Sequence, residues 1–96
     1  MLTHIVCWKY KAETTEEEIE THIEKLKHLP NVIPDILSFS VGRDCLHLER
    51  SFDTGLVATY PDRVALDAYT VHPDHAAAAA LGKRIAARVV SVDFEN

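Results

Sequence analysis

The sequence has no apolar run approaching the ~20 residues that a membrane-spanning helix needs. Its first residues also lack the basic start and apolar core of a secretory signal peptide. Only two cysteines occur, Cys7 and Cys45, and because they lie far apart in the chain we expect reduced thiols. These absences predict a cytoplasmic protein with no membrane partner.

Positive charge is in the minority, with 10 Lys and Arg against 15 Asp and Glu, which gives a net charge of -5. Such a surface repels the phosphate backbone, and no basic stripe is visible. The one basic cluster is Lys83, Arg84 and Arg88, and its spacing predicts the solvated face of a helix. We therefore expect no nucleic-acid partner.

Glycine and proline are few (3 and 4 residues), while 47% of the chain is hydrophobic and 26% is charged. This composition is that of a folded globular protein. The 96 residues give room for one domain, which we place at 1–96. Because a chain of this size buries only about 60–65% of its extended surface, association with a second copy would add stability.

Four segments alternate in the manner of strands. The first has His4, Val6 and Trp8 on one side and Ile5 and Cys7 on the other, so both of its faces are apolar, as in a strand that is covered twice. The predicted strands are Leu2–Tyr10, Ile36–Gly42, Thr54–Tyr60 and Val89–Phe94.

Two helical segments separate these strands. Thr14 or Thr15 caps the first helix, and Pro30 and Pro34 are expected to stop it. Asp62 opens the second, which should break at His72, because the residue before a proline is driven out of helical geometry. Pro73 is well placed to begin a new helix there.

The order strand, helix, strand, strand, broken helix, strand predicts an α+β, ferredoxin-like βαββαβ fold with a four-stranded antiparallel sheet and helices on one face. The opposite face would carry apolar side chains of the first and last strands. A second copy of the sheet is the simplest cover for them, so we predict a homodimer whose sheets pack face to face. These side chains are Ile5, Cys7, Val90, Val92 and Phe94.

A short histidine motif, Tyr69-x-x-His72-Pro73-x-His75, makes the sequence similar to a known family. Further matches are His4 in the opening strand, Ile33-Pro34, Gly42, Ala65-Leu66-x-x-Tyr69 and the closing Val92-Asp93-Phe94. With these residues the chain resembles the stress-responsive A/B barrel domain family, also called dimeric α+β barrel proteins. The resemblance implies a ferredoxin-like subunit and a face-to-face dimer.

One plant member of that family, olivetolic acid cyclase, closes a linear polyketide by aldol condensation without metal or organic cofactor. The resemblance implies that His75 is the general base, Tyr69 its partner, Asp93 the carboxylate that orients the base, and His4 a pocket residue. We accordingly predict a pocket between sheet and helices for a small carbonyl-containing molecule, with no cofactor and no metal. The predicted substrate-binding residues are His4, Val6, Trp8 and His72.

The residue types suit that chemistry. A histidine in the first turn of a helix is kept neutral by the positive helix end and can accept a proton. A carboxylate on its Nδ1–H fixes the tautomer, and a tyrosine hydroxyl can donate to a developing enolate oxygen. His75, Asp93 and Tyr69 would then remove a proton from a carbon next to a carbonyl.

Other interpretations stay open. His75 and Asp93 can simply tie a helix to the sheet, and Trp8 can fill the interior of a non-enzymatic stress or assembly protein. A three-histidine metal site of His4, His72 and His75 is disfavoured, because the residue before Pro73 does not share a regular helical face with His75.

Overall fold

The computed structural model describes all of residues 1–96 and consists of four strands and three helices. None of the helices has the length and apolar character needed to cross a bilayer. In chain order the elements are β1 (Leu2–Tyr10), α1 (Glu16–Val32), β2 (Ser38–Arg43), β3 (Thr54–Tyr60), α2 (Arg63–Val71), α3 (Pro73–Ile85) and β4 (Ala86–Glu95).

The strands form one antiparallel sheet in the order β2-β3-β1-β4, which confirms the predicted ferredoxin-like fold. β1 and β3 have the predicted bounds, whereas β2 begins two residues late, because Asp35 takes a left-handed conformation (φ 70°) ahead of it. β4 begins early, at Ala86, because this residue already pairs with Tyr10 at the end of β1. Arg88 therefore lies in a strand, and the predicted helical cluster with Lys83 and Arg84 does not form.

α1 begins with a capping box. The hydroxyl of Thr15 accepts from the backbone N–H of Glu18, and the Glu18 carboxylate accepts from the backbone N–H of Thr15. Pro30 does not stop this helix as predicted, since the helix runs on to Val32 and ends two residues before Pro34. Pro30 removes one hydrogen bond near the C-terminus, where burial of Leu29 still holds the last turn against the core.

The predicted break in the second helical segment is confirmed at His72, which is both the last cap of α2 and the first cap of α3. Its ring Nδ1 accepts from the backbone N–H of Asp74 at 3.1 Å. Pro73 is the first residue of α3, where a missing N–H costs nothing.

The core lies between the helices and one face of the sheet. That face receives alternate residues of β1 and β3, and α1 contributes its apolar stripe. The largest fully buried side chains are Tyr60, Tyr69, Leu29, Leu56, His22 and Thr54.

The other face of the sheet has no helix over it and carries an apolar strip. Ile5 lies between Val57 of β3 and Val92 of β4, and Cys7 lies beside Val90. Val57, Val90 and Val92 remain 39–53% exposed. Both cysteines of the chain are free.

Candidate functional site

A cavity of about 400 Å³ opens between the helix-covered face of the sheet and the helices. Most of its wall is apolar, and the polar groups on it are two imidazoles, one hydroxyl from a serine, one from a tyrosine and one ammonium. This is the usual make-up of a small-molecule site. The wall consists of His4, Val6, Trp8, Leu26, Leu56, Tyr69, His75, Ala79, Lys83, Val89 and Ser91.

A second depression, of about 520 Å³, lies on the outer side of α1 and α3. Only one of its eight lining residues is hydrophobic, and four are acidic, Glu17, Glu20, Glu24 and Asp74. Because nearly all of its lining residues are polar or charged, the mainly apolar cavity with the two histidines is the better candidate site.

His75 lies in the first turn of α3, and its ring is fixed by a neighbouring helix. Its Nδ1 lies 3.0 Å from the backbone oxygen of Thr70 in α2. Since a carbonyl oxygen only accepts, Nδ1 carries the proton and Nε2 keeps a free lone pair. Burial lowers the pKa of His75, and the neighbouring His4 and His72 lower it further, against the opposing effect of the Thr70 bond. The ring is thus a neutral base in a defined tautomer.

Tyr69 supplies a proton donor beside this base. The ring centroids of Tyr69 and His75 are 4.4 Å apart. Burial raises the pKa of Tyr69 to about 12, so its hydroxyl stays protonated at neutral pH. The structure therefore brings together the two groups that the sequence predicted as base and partner.

Asp93 does not orient His75 as predicted. Its carboxylate bonds Nδ1 of His4 instead, because His4 and Asp93 are directly opposite each other on β1 and β4 and point to the same face. The ring of His4 makes an edge contact with Tyr69 at 6.0 Å between centroids. The site thus contains two histidines whose Nδ1 protons are held by different acceptors, a carboxylate and the Thr70 carbonyl.

Tyr60 lies behind this group and contacts both His4 and Tyr69, at 6.3 and 5.3 Å between ring centroids. Its hydroxyl is buried without a hydrogen-bond partner. Burial, and after it the nearby Tyr69, raise the pKa of Tyr60 far above its usual range. The two hydroxyls are close enough to interact electrostatically, but their geometry does not form a hydrogen bond.

Of the other predicted binding residues, Val6 and Trp8 line the cavity, whereas His72 does not. Nδ1 of His72 accepts from the backbone N–H of Asp74 and so caps α3. The structure therefore does not bring the His72 ring into the site. Trp8 packs edge-on against His22, with centroids 4.9 Å apart, and forms part of the wall without closing the cavity.

Several residues of the wall differ from those predicted from the sequence. Lys83, assigned to a solvated helix face, lines the cavity, and so does Ser91. Helical spacing from His75 would have found Lys83, which follows at i+8 with Ala79 between them. Strand alternation from Asp93 would have found Ser91.

No group of three or more His, Cys, Asp or Glu side chains is placed to hold a metal ion. His4 is tied to Asp93, and His72 is engaged in its helix cap, so the three histidines do not converge. The donor set of the site consists of two hydrogen-bonded imidazoles with phenol hydroxyls beside them, which suits proton transfer.

Residues 2–96 match the model of the Stress responsive A/B Barrel Domain. The chain belongs to this family. A search of the curated proteins finds no match.

Among solved structures, this A/B barrel domain is similar to a dimeric ferredoxin-like protein of unknown function from Thermobifida fusca YX. The TM-score is 0.90 and the identity 29%, over 99% of this chain and 90% of the other. A second dimeric ferredoxin-like protein of unknown function, from Jannaschia sp. CCS1, has a TM-score of 0.85 and 27% identity over 99% and 98%. Hydroxynitrile lyase from Passiflora edulis shares the fold, with a TM-score of 0.86 and 18% identity over 97% and 90%.

Proposed function

We propose that this A/B barrel domain protein binds a small carbonyl-containing molecule in the cavity and acts on it by acid/base catalysis, with cyclase- or lyase-like chemistry and no organic cofactor. The observation that carries the proposal is the pairing of His75, a neutral base with a free Nε2, with the protonated hydroxyl of Tyr69 on one apolar cavity wall.

The proposed reaction begins with the carbonyl oxygen accepting a hydrogen bond from Tyr69. Nε2 of His75 takes the proton from the adjacent carbon, and the C–H electron pair becomes the enolate, which the tyrosine stabilises. The enolate carbon then forms a bond to a second carbonyl carbon of the same molecule, and the resulting alkoxide takes the proton back from His75. General acid–base assistance of this kind contributes about 10²–10⁴-fold.

His4 and Asp93 form a second acid/base pair in this proposal. The carboxylate accepts from Nδ1–H of His4 and leaves Nε2 free. His4 lines both the cavity and a separate outer groove, which Asp93 also lines. We therefore assign His4 the exchange of protons between the site and solvent.

Two further observations support the proposal. The fold of Passiflora edulis hydroxynitrile lyase is the fold of this chain, so the architecture is compatible with small-molecule catalysis. The alternative, a non-enzymatic stress or assembly protein with a filled core, predicts no free space beside His75, and the cavity there favours the catalytic proposal. Cytoplasmic localisation and a role in stress stay predictions.

We also propose that the protein is a homodimer. Leaving an apolar side chain in water costs about 1.5–3 kcal/mol relative to burying it, and the strip around Ile5 contains several. A two-fold axis that stacks the open faces of two sheets covers this strip in both protomers at once. Two of the solved structures described above are dimeric ferredoxin-like proteins.

Deuterium exchange tests the catalytic proposal without knowledge of the natural substrate. Acetophenone in D₂O exchanges its methyl protons slowly, and ¹H NMR follows the loss of their signal. We expect the protein to accelerate exchange and His75→Gln to reduce the protein-catalysed rate by about 10²-fold, the lower end of general-base contributions. Because only the neutral ring accepts a proton, the rate should fall as the pH drops through the pKa of His75, which burial holds below the usual 6.5.

His28→Gln is the matched control, because His28 is an exposed histidine of α1 outside the cavity. This variant should exchange the methyl protons of acetophenone at the wild-type rate. A folded His75→Gln protein, verified by circular dichroism, that keeps the wild-type rate would disprove the role of this base.

A further inference from the structure

We propose that the ligand of the cavity is an anion: a carbonyl compound whose carboxylate binds Lys83, at the end of the cavity away from the histidines. The position of the reacting carbonyl rests on the proposed function above. The charged subsite itself depends only on the geometry and charge of the wall.

The helix side of the cavity gives its length. His75, Ala79 and Lys83 follow one another at intervals of four residues in α3 and all line the cavity. At a rise of 1.5 Å per residue, His75 and Lys83 are about 12 Å apart along the helix axis. The base and the ammonium group therefore stand at opposite ends of one helical stripe.

The sheet side of the cavity extends in the same direction, from the histidines toward Trp8. Asp93 is opposite His4, Ser91 is opposite Val6, and Val89 is opposite Trp8. From residue 93 to residue 89 the strand extends about 13 Å, close to the length of the helical stripe. Trp8 marks the far end on both sides, because its indole Nε1 lies close to Gly82, the neighbour of Lys83 in α3.

The charges of the wall favour an anion at that end. No Asp or Glu lines the cavity, and Lys83 is the one lining residue with an ammonium or guanidinium group. Lys83 forms no salt bridge, whereas the next residue, Arg84, lies 3.4 Å from the carboxylate of Glu18. A lysine stem can lie along an apolar wall with its charge at the rim, where a ligand carboxylate would receive a charge-assisted hydrogen bond.

These features define the ligand class. A carbonyl near His75 and an anion near Lys83 require a molecule about 8–12 Å long, allowing for the lysine to fold back over the helical stripe. Its middle must be apolar to pass Ala79, Val6 and Leu56, with one hydroxyl available from Ser91. A medium-chain oxo-carboxylate meets these requirements.

Binding can be measured apart from catalysis, because Trp8 is the only tryptophan of the chain and lies on the cavity wall. We would titrate the protein with octanoate, 1-octanol and octylamine and follow tryptophan fluorescence. The three probes share one alkyl chain and differ in charge. We expect octanoate to bind about tenfold more tightly than 1-octanol, a preference that falls with added salt.

Lys83→Met should remove the preference for octanoate and leave the affinity for 1-octanol unchanged, while Lys83→Glu should make octylamine the preferred probe. Arg84→Met is the matched control, since it removes the same charge from the adjacent residue outside the cavity. It should keep the tenfold preference.

The outcomes separate the two proposals. Equal affinity of the wild type for octanoate and 1-octanol overturns the anion subsite and leaves the acetophenone result untouched. A preference for octanoate that survives Lys83→Met overturns it as well, because the anion would then bind elsewhere. A Lys83-dependent preference without proton exchange supports the subsite and contradicts the catalytic role of His75.

Discussion

His22 predicts a pH dependence of stability that can be worked out from its surroundings. Its ring is 0% exposed, and Nδ1 lies 2.9 Å from the hydroxyl of Tyr10. That hydroxyl donates to Oγ1 of Thr54 at 2.8 Å, so it accepts from Nδ1–H of His22. Nε2 is then the unprotonated nitrogen, buried without a partner beside Gly82. Protonation would place a charge there with no acceptor for it.

Burial lowers the pKa of His22 from 6.5 to about 4. The unfolded chain therefore takes up this proton near pH 6.5, whereas the folded chain does not until about pH 4. Stability is complete above pH 6.5 and is lost as the pH falls from there toward 4. The full difference is about 3 kcal/mol, and about 2 kcal/mol of it is lost between pH 7.5 and pH 5.

Urea unfolding at pH 7.5 and pH 5, at one fixed protein concentration, measures this loss. His22→Asn is the comparison, because an amide can keep the contact with Tyr10 but does not titrate. His75 and the carboxylates contribute to the pH dependence of both proteins, so they cancel in the difference between them. We expect the wild type to lose about 2 kcal/mol more than the variant between the two pH values. Equal losses would refute the account of His22 as a buried neutral base.

Two other substitutions test packing and association. A Cβ at Gly82 would lie 2.7 Å from Nε2 of His22 and 3.0 Å from Nε1 of Trp8, so Gly82→Ala should lower the free energy of unfolding by up to about 2 kcal/mol in urea titrations. Stabilisation by about 1 kcal/mol, as helix propensity alone predicts, would contradict this. Val92→Lys should convert the dimer to a monomer in analytical ultracentrifugation, because the lysine would lie in the proposed interface. Val64→Lys, on the exposed side of α2 (76% exposed), should remain dimeric, and two dimeric variants would count against a sheet-to-sheet contact.

The sequence predicts the fold well because its signals are local. The alternation of β1 and β3 fixes their bounds, and the dipeptide His72-Pro73 fixes the break between α2 and α3. Local sequence rules predict the wrong bounds for a helix or strand where tertiary contacts determine those bounds. Pro30 is tolerated inside α1 because the turn around it is packed against the core, and β4 starts at Ala86 because β1 is there to pair with it.

The candidate site is predictable only in part, for the same reason. Tyr69 and His75 lie within one short motif, so the sequence predicts that they lie close together, as they do in the structure. The partner of Asp93 depends on the register of β1 against β4, two strands at opposite ends of the chain, and this register brings it to His4. The acceptor for His75 is a main-chain carbonyl, which every residue carries, so no residue type identifies it directly.

That carbonyl is available because the helix is interrupted. In an uninterrupted helix the oxygen of Thr70 would accept from the backbone N–H of Asp74, four residues on. Here that N–H is diverted to the ring of His72, and the oxygen is left for the imidazole of His75. The break at Pro73 therefore changes which groups bond to each other. In this way a proline with no reactive group of its own determines that Nε2 of His75 is the basic nitrogen.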